Sequence, residues 1–246
     1  MKIFKNLFKA GFATLLISGL FSLNACQKTD DMSPMSSTGE DPSLSSERHC
    51  NSILFPAQAH MYGKSYGEWA AELFKWTFQF DCTHSPYLDQ TGAFQNQNQH
   101  GHVFFLAGAP SGTPVTRSVT VPRGKSVFFP LIYYFANTGC GELLSAIDGD
   151  VRGIVPYMDQ LTLTIDGQTI NNVTDYQAIS PIFNYVGDPC FNSNFCIDGT
   201  QQQAVIGGYW IMLKPLSRGT HTIHTTGGAS ALFPAIKDVT WTITQL

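Results

Sequence analysis

Hydrophobic and polar residues alternate in short runs through most of the chain after residue 100. The clearest runs are 161–165 and 239–243, where threonines alternate with large apolar residues. Asp166-Gly167 directly after the first run predicts a tight hairpin turn. Successive side chains of a strand point to opposite faces, so this pattern is typical of half-buried antiparallel strands. Runs of β-branched and aromatic residues bounded by Gly, Pro, Asn and Asp predict strands at 102–107, 115–121, 125–133, 161–165, 204–213, 220–225 and 239–244.

One segment has a helical period instead. Between residues 64 and 80, large apolar side chains recur every three or four positions, and Ser65 with Glu68 predicts a capping box at the helix start. A shorter helix is expected near 143–147. We therefore predict an all-β fold, a jelly-roll-like β-sandwich, with one N-terminal amphipathic helix packed against it.

The N-terminus has the pattern of an export signal. Lys2, Lys5 and Lys9 precede an apolar run that ends at Leu23 and is too short for a stable membrane-spanning helix. Residues 1–25 are therefore predicted to be a signal peptide that is removed from the mature protein.

Residues 23–26, Leu-Asn-Ala-Cys, resemble the bacterial lipobox. The resemblance implies a diacylglycerol thioether on Cys26 and a further amide-linked chain such as palmitate. Two or three acyl chains anchor a protein durably where one does not. Gln27 after the cysteine implies the outer membrane of a Gram-negative bacterium. The alternative is a plain secretory signal with an incidental cysteine.

Residues 26–49 follow as a lipidated cysteine and a flexible tether, since this segment is rich in Ser, Pro and acids and lacks apolar periodicity. Residues 50–246 are long enough for a single β-sandwich-like domain with a sizeable core. No second apolar segment long enough to span a membrane follows, so the lipid is the expected anchor.

The charge balance argues against a nucleic-acid partner. Removal of the signal takes away three lysines and leaves 11 of the 14 basic residues against 18 acidic ones, a formal charge of −7. Phosphate binding needs a basic surface.

Five cysteines remain in the exported part, where disulfides persist. Cys190 and Cys196 flank a five-residue loop that a local bridge would close, and Cys82 with Cys140 or Cys50 is the next pairing considered. Spacing alone does not decide the connectivity. A cysteine metal site is the alternative, although the chain has no C-x-x-C pair.

Five sequence blocks resemble a family of uncharacterised secreted bacterial proteins and lipoproteins that share them in this order. The blocks are YGEWAA at 66–71, GHVFFLAG at 101–108, VPRGKSVFFP at 121–130, GYWIMLKPL at 208–216 and GTHTI at 219–223. The resemblance covers the chain from about residue 62 to its end. It implies a single exported domain and supplies no catalytic residues.

A metal site is one hypothesis for the histidines. His100 and His102 are two apart at a predicted strand start, so their side chains point to the same face and could reach one ion. The third ligand would be His60, His84 or a carboxylate. The alternative is a pair of polar loop histidines. No cofactor is expected.

A glycan site is the hypothesis for the amide-rich segment before His100. Amides donate to and accept from sugar hydroxyls, while aromatic faces stack on the apolar faces of pyranose rings. The candidate binding residues are Phe94, Gln95, Asn96, Gln97 and Asn98. The alternative is an ordinary polar surface loop.

Other groupings of polar residues are weaker. Calcium would suit the oxygen-rich loop that contains Asp188, Asn192, Asn194 and Asp198, although ordinary turn chemistry explains the same residues. A hydrolase would need paired carboxylates or an activated nucleophile, and the pairs available are Glu68 with Glu72, Asp81 with His84, and Asp148 with Asp150.

The sequence therefore predicts a lipid-anchored protein of the cell envelope with a non-catalytic binding role, for glycan or another small polar ligand. The membrane is its partner through the lipid. The alternatives are a polysaccharide hydrolase and a structural surface protein. Exposed aromatics favour binding, whereas two carboxylates facing each other in a cleft favour hydrolysis.

Overall fold

The computed structural model describes residues 53–246, which contain ten β-strands and three α-helices. The strands are β1 (Val103–Phe105), β2 (Val115–Val121), β3 (Ser126–Asn137), β4 (Asp159–Ile165), β5 (Gln168–Thr169), β6 (Gln177–Ile179), β7 (Phe183–Val186), β8 (Gln201–Leu213), β9 (Gly219–Ala229) and β10 (Phe233–Gln245). The helices are α1 (Tyr66–Phe78), α2 (Leu144–Ile154) and α3 (Asn192–Phe195). The predicted signal peptide, Cys26 and the tether lie outside the described residues.

The all-β prediction is confirmed, because the strands form two five-stranded sheets. In the first sheet β3 lies between β1 and β8, and the other edge of β8 pairs with β6 and β7. The second sheet has the order β2-β10-β9-β4-β5. Two pairs, β1 with β3 and β2 with β10, are parallel, and the rest are antiparallel. No helix within residues 53–246 is long and apolar enough to cross a membrane.

All seven predicted strands are present, with shifted ends, and three further strands were not predicted. The alternation in β4 and β10 buries the apolar residues, and the turn at Asp166 and Gly167 takes positive φ values of 50° and 77°, as a tight hairpin requires. The additional strands β5, β6 and β7 have two to four residues each, too few to show a period.

A hydrophobic core lies between the two sheets and includes Val119, Leu163, Ile211 and Trp241. Helix α2 covers one end of this core with Ile147 and Val151. It was predicted to be shorter, because its glycines obscure the helical pattern. On β8, Gly207 has no side chain to keep α2 away: a Cβ there would lie 2.7 Å from Val151 Cγ1.

A second core lies between α1 and the other face of the first sheet. The predicted helix 64–80 is observed as Tyr66–Phe78, with the expected capping box between Ser65 and Glu68. Its buried side packs on Phe128 and Trp210 of the first sheet. Both faces of the central strand β8 are therefore covered, which explains its nearly continuous burial.

The predicted Cys190–Cys196 bridge is wrong. The disulfides are Cys82–Cys190 and Cys140–Cys196, with Cα atoms 5.8 Å and 5.3 Å apart. The reason is that α3 fills the segment between Cys190 and Cys196, so that each cysteine meets a different neighbour. Cys190 joins the chain after α1, and Cys196 joins the end of β3.

Candidate functional site

The amide-rich segment uses most of its glutamines to hold its own backbone. Gln95 is fully buried, where its Nε2 donates to the Pro86 carbonyl at 2.6 Å and its Oε1 accepts from the Ala107 N–H at 3.0 Å. Gln97 Nε2 donates to the carbonyls of His84 and Phe94. A ligand would have to break these bonds, so Gln95 and Gln97 serve the loop rather than a solvent-facing site.

The turn that starts this segment is held by Asp89. Its carboxylate accepts the backbone N–H groups of Thr91, Gly92 and Phe94 at 2.8–2.9 Å. Burial acts to raise the pKa of Asp89, but these hydrogen bonds outweigh it, so that the pKa is lowered. The segment is therefore a fixed loop. Of the predicted glycan residues, only Asn96 and Asn98 are exposed, and Phe94 is half-buried.

The structure does not assemble a metal site around His100 and His102. Both side chains are exposed, and no group of three His, Cys, Asp or Glu side chains in the described part of the chain is placed to hold an ion. The predicted third ligand His84 bonds to Asp81 instead, with Nδ1 2.9 Å from Oδ2. His102 stacks on Tyr62, with ring centroids 5.0 Å apart and planes 15° from parallel.

Tyr62 and His102 belong to a partly exposed group of rings that we call the aromatic surface: Tyr62, Trp69, His102 and Phe105. Tyr62 is 44% exposed. Its ring meets Trp69 edge to face at 6.3 Å, and Trp69 in turn lies 6.1 Å from Phe105. The aromatic surface therefore combines residues from the turn before α1, from α1 itself and from β1.

The rings of this surface are held by polar contacts. Tyr62 and Gly63 have φ values of 52° and 80° in a tight turn, and the Tyr62 hydroxyl hydrogen-bonds to Ser126 Oγ at 2.9 Å. Trp69 Nε1 donates to the Met61 carbonyl at 2.9 Å. The Lys64 ammonium lies 5.2 Å from the Trp69 ring centroid. The rings are thus fixed before any ligand arrives.

The amide-rich segment borders this surface. Trp76 lies two helical turns after Trp69 on α1, and its Nε1 donates to the Gln97 carbonyl at 2.8 Å. Lys125 directly precedes Ser126 at the start of β3, and its Nζ donates to the Gln99 carbonyl at 2.9 Å. The two features that the sequence suggested for a glycan site, aromatic rings and amides, are therefore neighbours.

The carboxylates proposed for hydrolysis, apart from Asp150, have a structural partner. Glu68 closes the helix cap, and its hydrogen bonds to the Ser65 backbone and side chain lower its pKa. Glu72 binds Lys64 at 3.0 Å, and Asp148 binds Arg152 at 2.9 Å. The pairs that the sequence suggested are therefore surface and capping interactions.

One unpredicted arrangement has the residue types of a hydrolytic triad. His221 Nδ1 lies 2.7 Å from Asp166 Oδ2, and its Nε2 lies 3.3 Å from Ser217 Oγ. The same Nε2, however, lies closer to the Ser217 carbonyl, at 2.9 Å. A carbonyl can only accept, so Nε2 must keep its proton and cannot serve as the base for a serine. Asp166, His221 and Ser217 therefore form a structural hydrogen-bonded group, which we call the His221 clasp.

The oxygen-rich loop is explained by turn chemistry. Asp188 accepts the Cys190 N–H, and Asp198 accepts the Thr200 N–H. His221 and His224 point to opposite sides of β9, as expected from their odd separation, and His224 pairs with Asp238 at 2.9 Å.

Sequence reasoning missed Tyr62, which lies in a turn with no period. Their places on helical or alternating apolar faces favour burial of all four tryptophans. Trp76, Trp210 and Trp241 are indeed buried, whereas Trp69 is half-buried at the aromatic surface.

No protein-family model, curated protein or solved structure matches the chain.

Proposed function

We propose that this chain is a lipid-anchored protein of the cell envelope, held at the outer membrane through Cys26, and that its folded part is a non-catalytic binding module for glycan. The observation that carries the binding role is the aromatic surface. Its outermost ring, Tyr62, is 44% exposed and yet fixed by a hydrogen bond to Ser126 and by contacts with the rings of Trp69 and His102.

Rings of this kind suit the apolar face of a sugar. Stacking needs a flat aromatic face, and a ring that is already fixed loses little conformational entropy when it binds. Asn96 and Asn98 on the bordering loop are exposed and supply both donors and acceptors for hydroxyl groups. The aromatic surface thus offers the stacking, and the loop offers the polar contacts.

The hydrolase alternative has no comparable support within residues 53–246. Its candidate carboxylates, apart from Asp150, are engaged in caps and ion pairs, and the one serine and histidine pair lacks a free base. We also infer that the two facing sheets form a jelly-roll-like β-sandwich with α1 packed against it. The core between the sheets supports this class, and the two parallel strand pairs depart from a fully antiparallel jelly roll.

The binding role is tested with the full chain in detergent on a glycan array, followed by calorimetry with the best glycan. Tyr62→Ala should weaken binding about fivefold, since stacking on one aromatic ring contributes roughly 1 kcal/mol. Tyr62→Phe should bind nearly as well because the ring remains. Tyr157→Ala is the matched control: Tyr157 is 45% exposed but lies outside the aromatic surface.

An equal loss of glycan affinity in Tyr62→Ala and Tyr157→Ala, or no glycan bound at all, would contradict the proposed binding role.

The anchor is tested separately by metabolic labelling with radioactive palmitate. The chain should be labelled and Cys26→Ala should not. An unlabelled chain would mean that the cysteine is incidental.

A further inference from the structure

A half-buried lysine lies at one corner of the fold, away from the aromatic surface. Lys237 is on β10, two residues before Val239, so its side chain points to the same side as the core residues Val239 and Trp241. Its Nζ lies 4.0 Å from the centroid of the Tyr133 ring and 6.0 Å from that of Tyr87. Among the described residues it has these ring contacts and no carboxylate within 4 Å.

The surroundings of this ammonium are positive. The charge of the buried Arg117 on β2 acts on Lys237, and the hydrogen bonds of Arg117 go to backbone carbonyls rather than to a carboxylate. Asp238, the next residue along β10, pairs with His224 instead. Asp89 also faces Arg117 but spends its oxygens on backbone N–H groups. Burial, with a contribution from Arg117, lowers the pKa of Lys237 to about 8. The site therefore has an excess of positive charge at neutral pH.

Two phenol groups add donors to the same corner. Burial raises the pKa of Tyr133 and raises that of Tyr87 to about 12, so both remain protonated. Neither hydroxyl hydrogen-bonds to another residue of the described chain. The Lys237 ammonium thus faces the rings of two tyrosines whose hydroxyl groups have no acceptor among the described residues.

A cavity begins at the same tyrosine. It has a volume of about 170 Å³ and a mainly apolar lining, formed by Tyr87, Leu88, Pro110, Phe191, Asn194, Phe195 and the Cys82–Cys190 disulfide. A cavity of about 150 Å³ in another protein holds one benzene molecule. This cavity is therefore large enough for a single six-membered ring.

We propose that Lys237, Tyr133, Tyr87 and this cavity form a second binding site, for a small monocarboxylate with an apolar, ring-sized body. The carboxylate takes the ammonium of Lys237 and the hydroxyls of the two tyrosines, and the body fills the cavity. One ammonium balances one negative charge, which favours a carboxylate over a phosphate dianion. Charge-assisted hydrogen bonds of this kind are stronger in a partly desolvated corner.

The probe is benzoate, titrated by calorimetry into the full chain in detergent, with benzyl alcohol and inorganic phosphate as comparison ligands. Benzoate should bind saturably and both comparison ligands much more weakly. Lys237→Met should weaken benzoate binding about tenfold or more, because a charged hydrogen bond is lost. Tyr133→Phe should weaken it by about threefold. Lys214→Met, in which a lysine elsewhere loses its charge, should bind normally.

Benzoate affinity should also fall as the pH rises through about 8, because the ammonium then loses its proton. If Lys237→Met does not fold, as judged by circular dichroism, Tyr133→Phe and this pH profile decide the matter. Phosphate binding as tight as benzoate, benzyl alcohol binding equally well, or no benzoate binding at millimolar concentration would each overturn the proposal.

Discussion

At the scale of single residues, Arg117 is the most unusual feature of the core. It occupies a position between Val115 and Val119 on the buried face of β2 and is completely inaccessible to solvent. Its guanidinium donates to the carbonyls of Tyr87, Asp89, Ala107 and Gly108, and it lies 4.9 Å from the ring centroid of Trp241. Burial lowers its pKa to about 10, so it stays charged at neutral pH.

Replacing this guanidinium should strongly destabilise the folded protein. Arg117→Met leaves four buried carbonyls without a donor, and we expect a loss of about 3–5 kcal/mol in the free energy of unfolding. Urea denaturation followed by tryptophan fluorescence measures the loss. Arg117→Lys should recover little of it, because an ammonium cannot reach four separate carbonyls. The exposed Arg123→Met serves as control, and a similar small effect for both methionine variants would contradict this role.

At the scale of elements, the His221 clasp joins a turn of the second sheet to the connection between the two sheets. Asp166 lies in the turn between β4 and β5, and Ser217 lies between β8 and β9. Burial of the ring opposes its charge, but the Asp166 carboxylate and the Ser217 carbonyl outweigh burial and raise the pKa of His221 above 6.5. The pKa of Asp166 is lowered from 3.8: burial would raise it, but hydrogen bonds to His221 and Thr222 prevail.

The clasp should therefore stabilise the fold at mildly acidic pH. A raised histidine pKa contributes stability that is complete below about 6.5 and is lost as the pH rises through the folded-state value. Asp166→Asn keeps the left-handed turn and the bond from the Thr222 N–H but removes the charge. Thermal melts should show a loss of roughly 0.5–1 kcal/mol at pH 5.5, since Asp166 is half exposed.

The difference between Asp166→Asn and the parent should shrink toward zero above the folded-state pKa of His221. Asp175→Asn, an exposed aspartate outside any ion pair of the described chain, should show no such pH dependence. An equal effect of Asp166→Asn at acidic and alkaline pH would mean that the charge of His221 is irrelevant.

The Gln99 side chain makes the backbone hydrogen bonds that a further strand would make at the edge of β1. Its Nε2 donates to the Phe105 carbonyl at 2.8 Å, and its Oε1 accepts from the Phe105 N–H at 2.9 Å. These are the two bonds that a neighbouring strand would make. The free edge of β1 is therefore covered by the amide-rich segment, which protects it from pairing with another chain.

At the scale of the whole molecule, two disulfides link the segment around α3 to the chain after α1 and to the end of β3. Cys82–Cys190 closes a sequence separation of 108 residues, and Cys140–Cys196 closes one of 56. Cross-links over long separations restrict the unfolded chain most. The α3 segment also contributes Phe191 and Phe195 to the core beneath α1, so the bridges fix one wall of the proposed carboxylate cavity.

Removal of either bridge should destabilise the protein substantially. The paired variants Cys82→Ser/Cys190→Ser and Cys140→Ser/Cys196→Ser should each lose about 3–5 kcal/mol, the first by about 0.6 kcal/mol more because its loop is longer. Chemical denaturation gives these values. Mass spectrometry of a non-reducing digest checks the pairing, and a peptide in which Cys190 is linked to Cys196 would contradict the structure.

Features that depend on neighbours along the chain were predictable from the amino-acid sequence. The alternation in β4 and β10, the capping box of Ser65 with Glu68, and the turn at Asp166 were all predicted and are observed. Each is set by a local period or by hydrogen bonds over three or four residues, so the sequence carries the whole signal.

Packing in three dimensions set which distant residues meet. It paired Cys190 with Cys82, brought Tyr62 beside His102, and turned Lys237 toward Tyr133. It also turned Gln95 from a candidate ligand residue into an internal brace. These outcomes depend on how two sheets and a helix pack, and packing brings together residues whose separation in sequence holds no record of the contact.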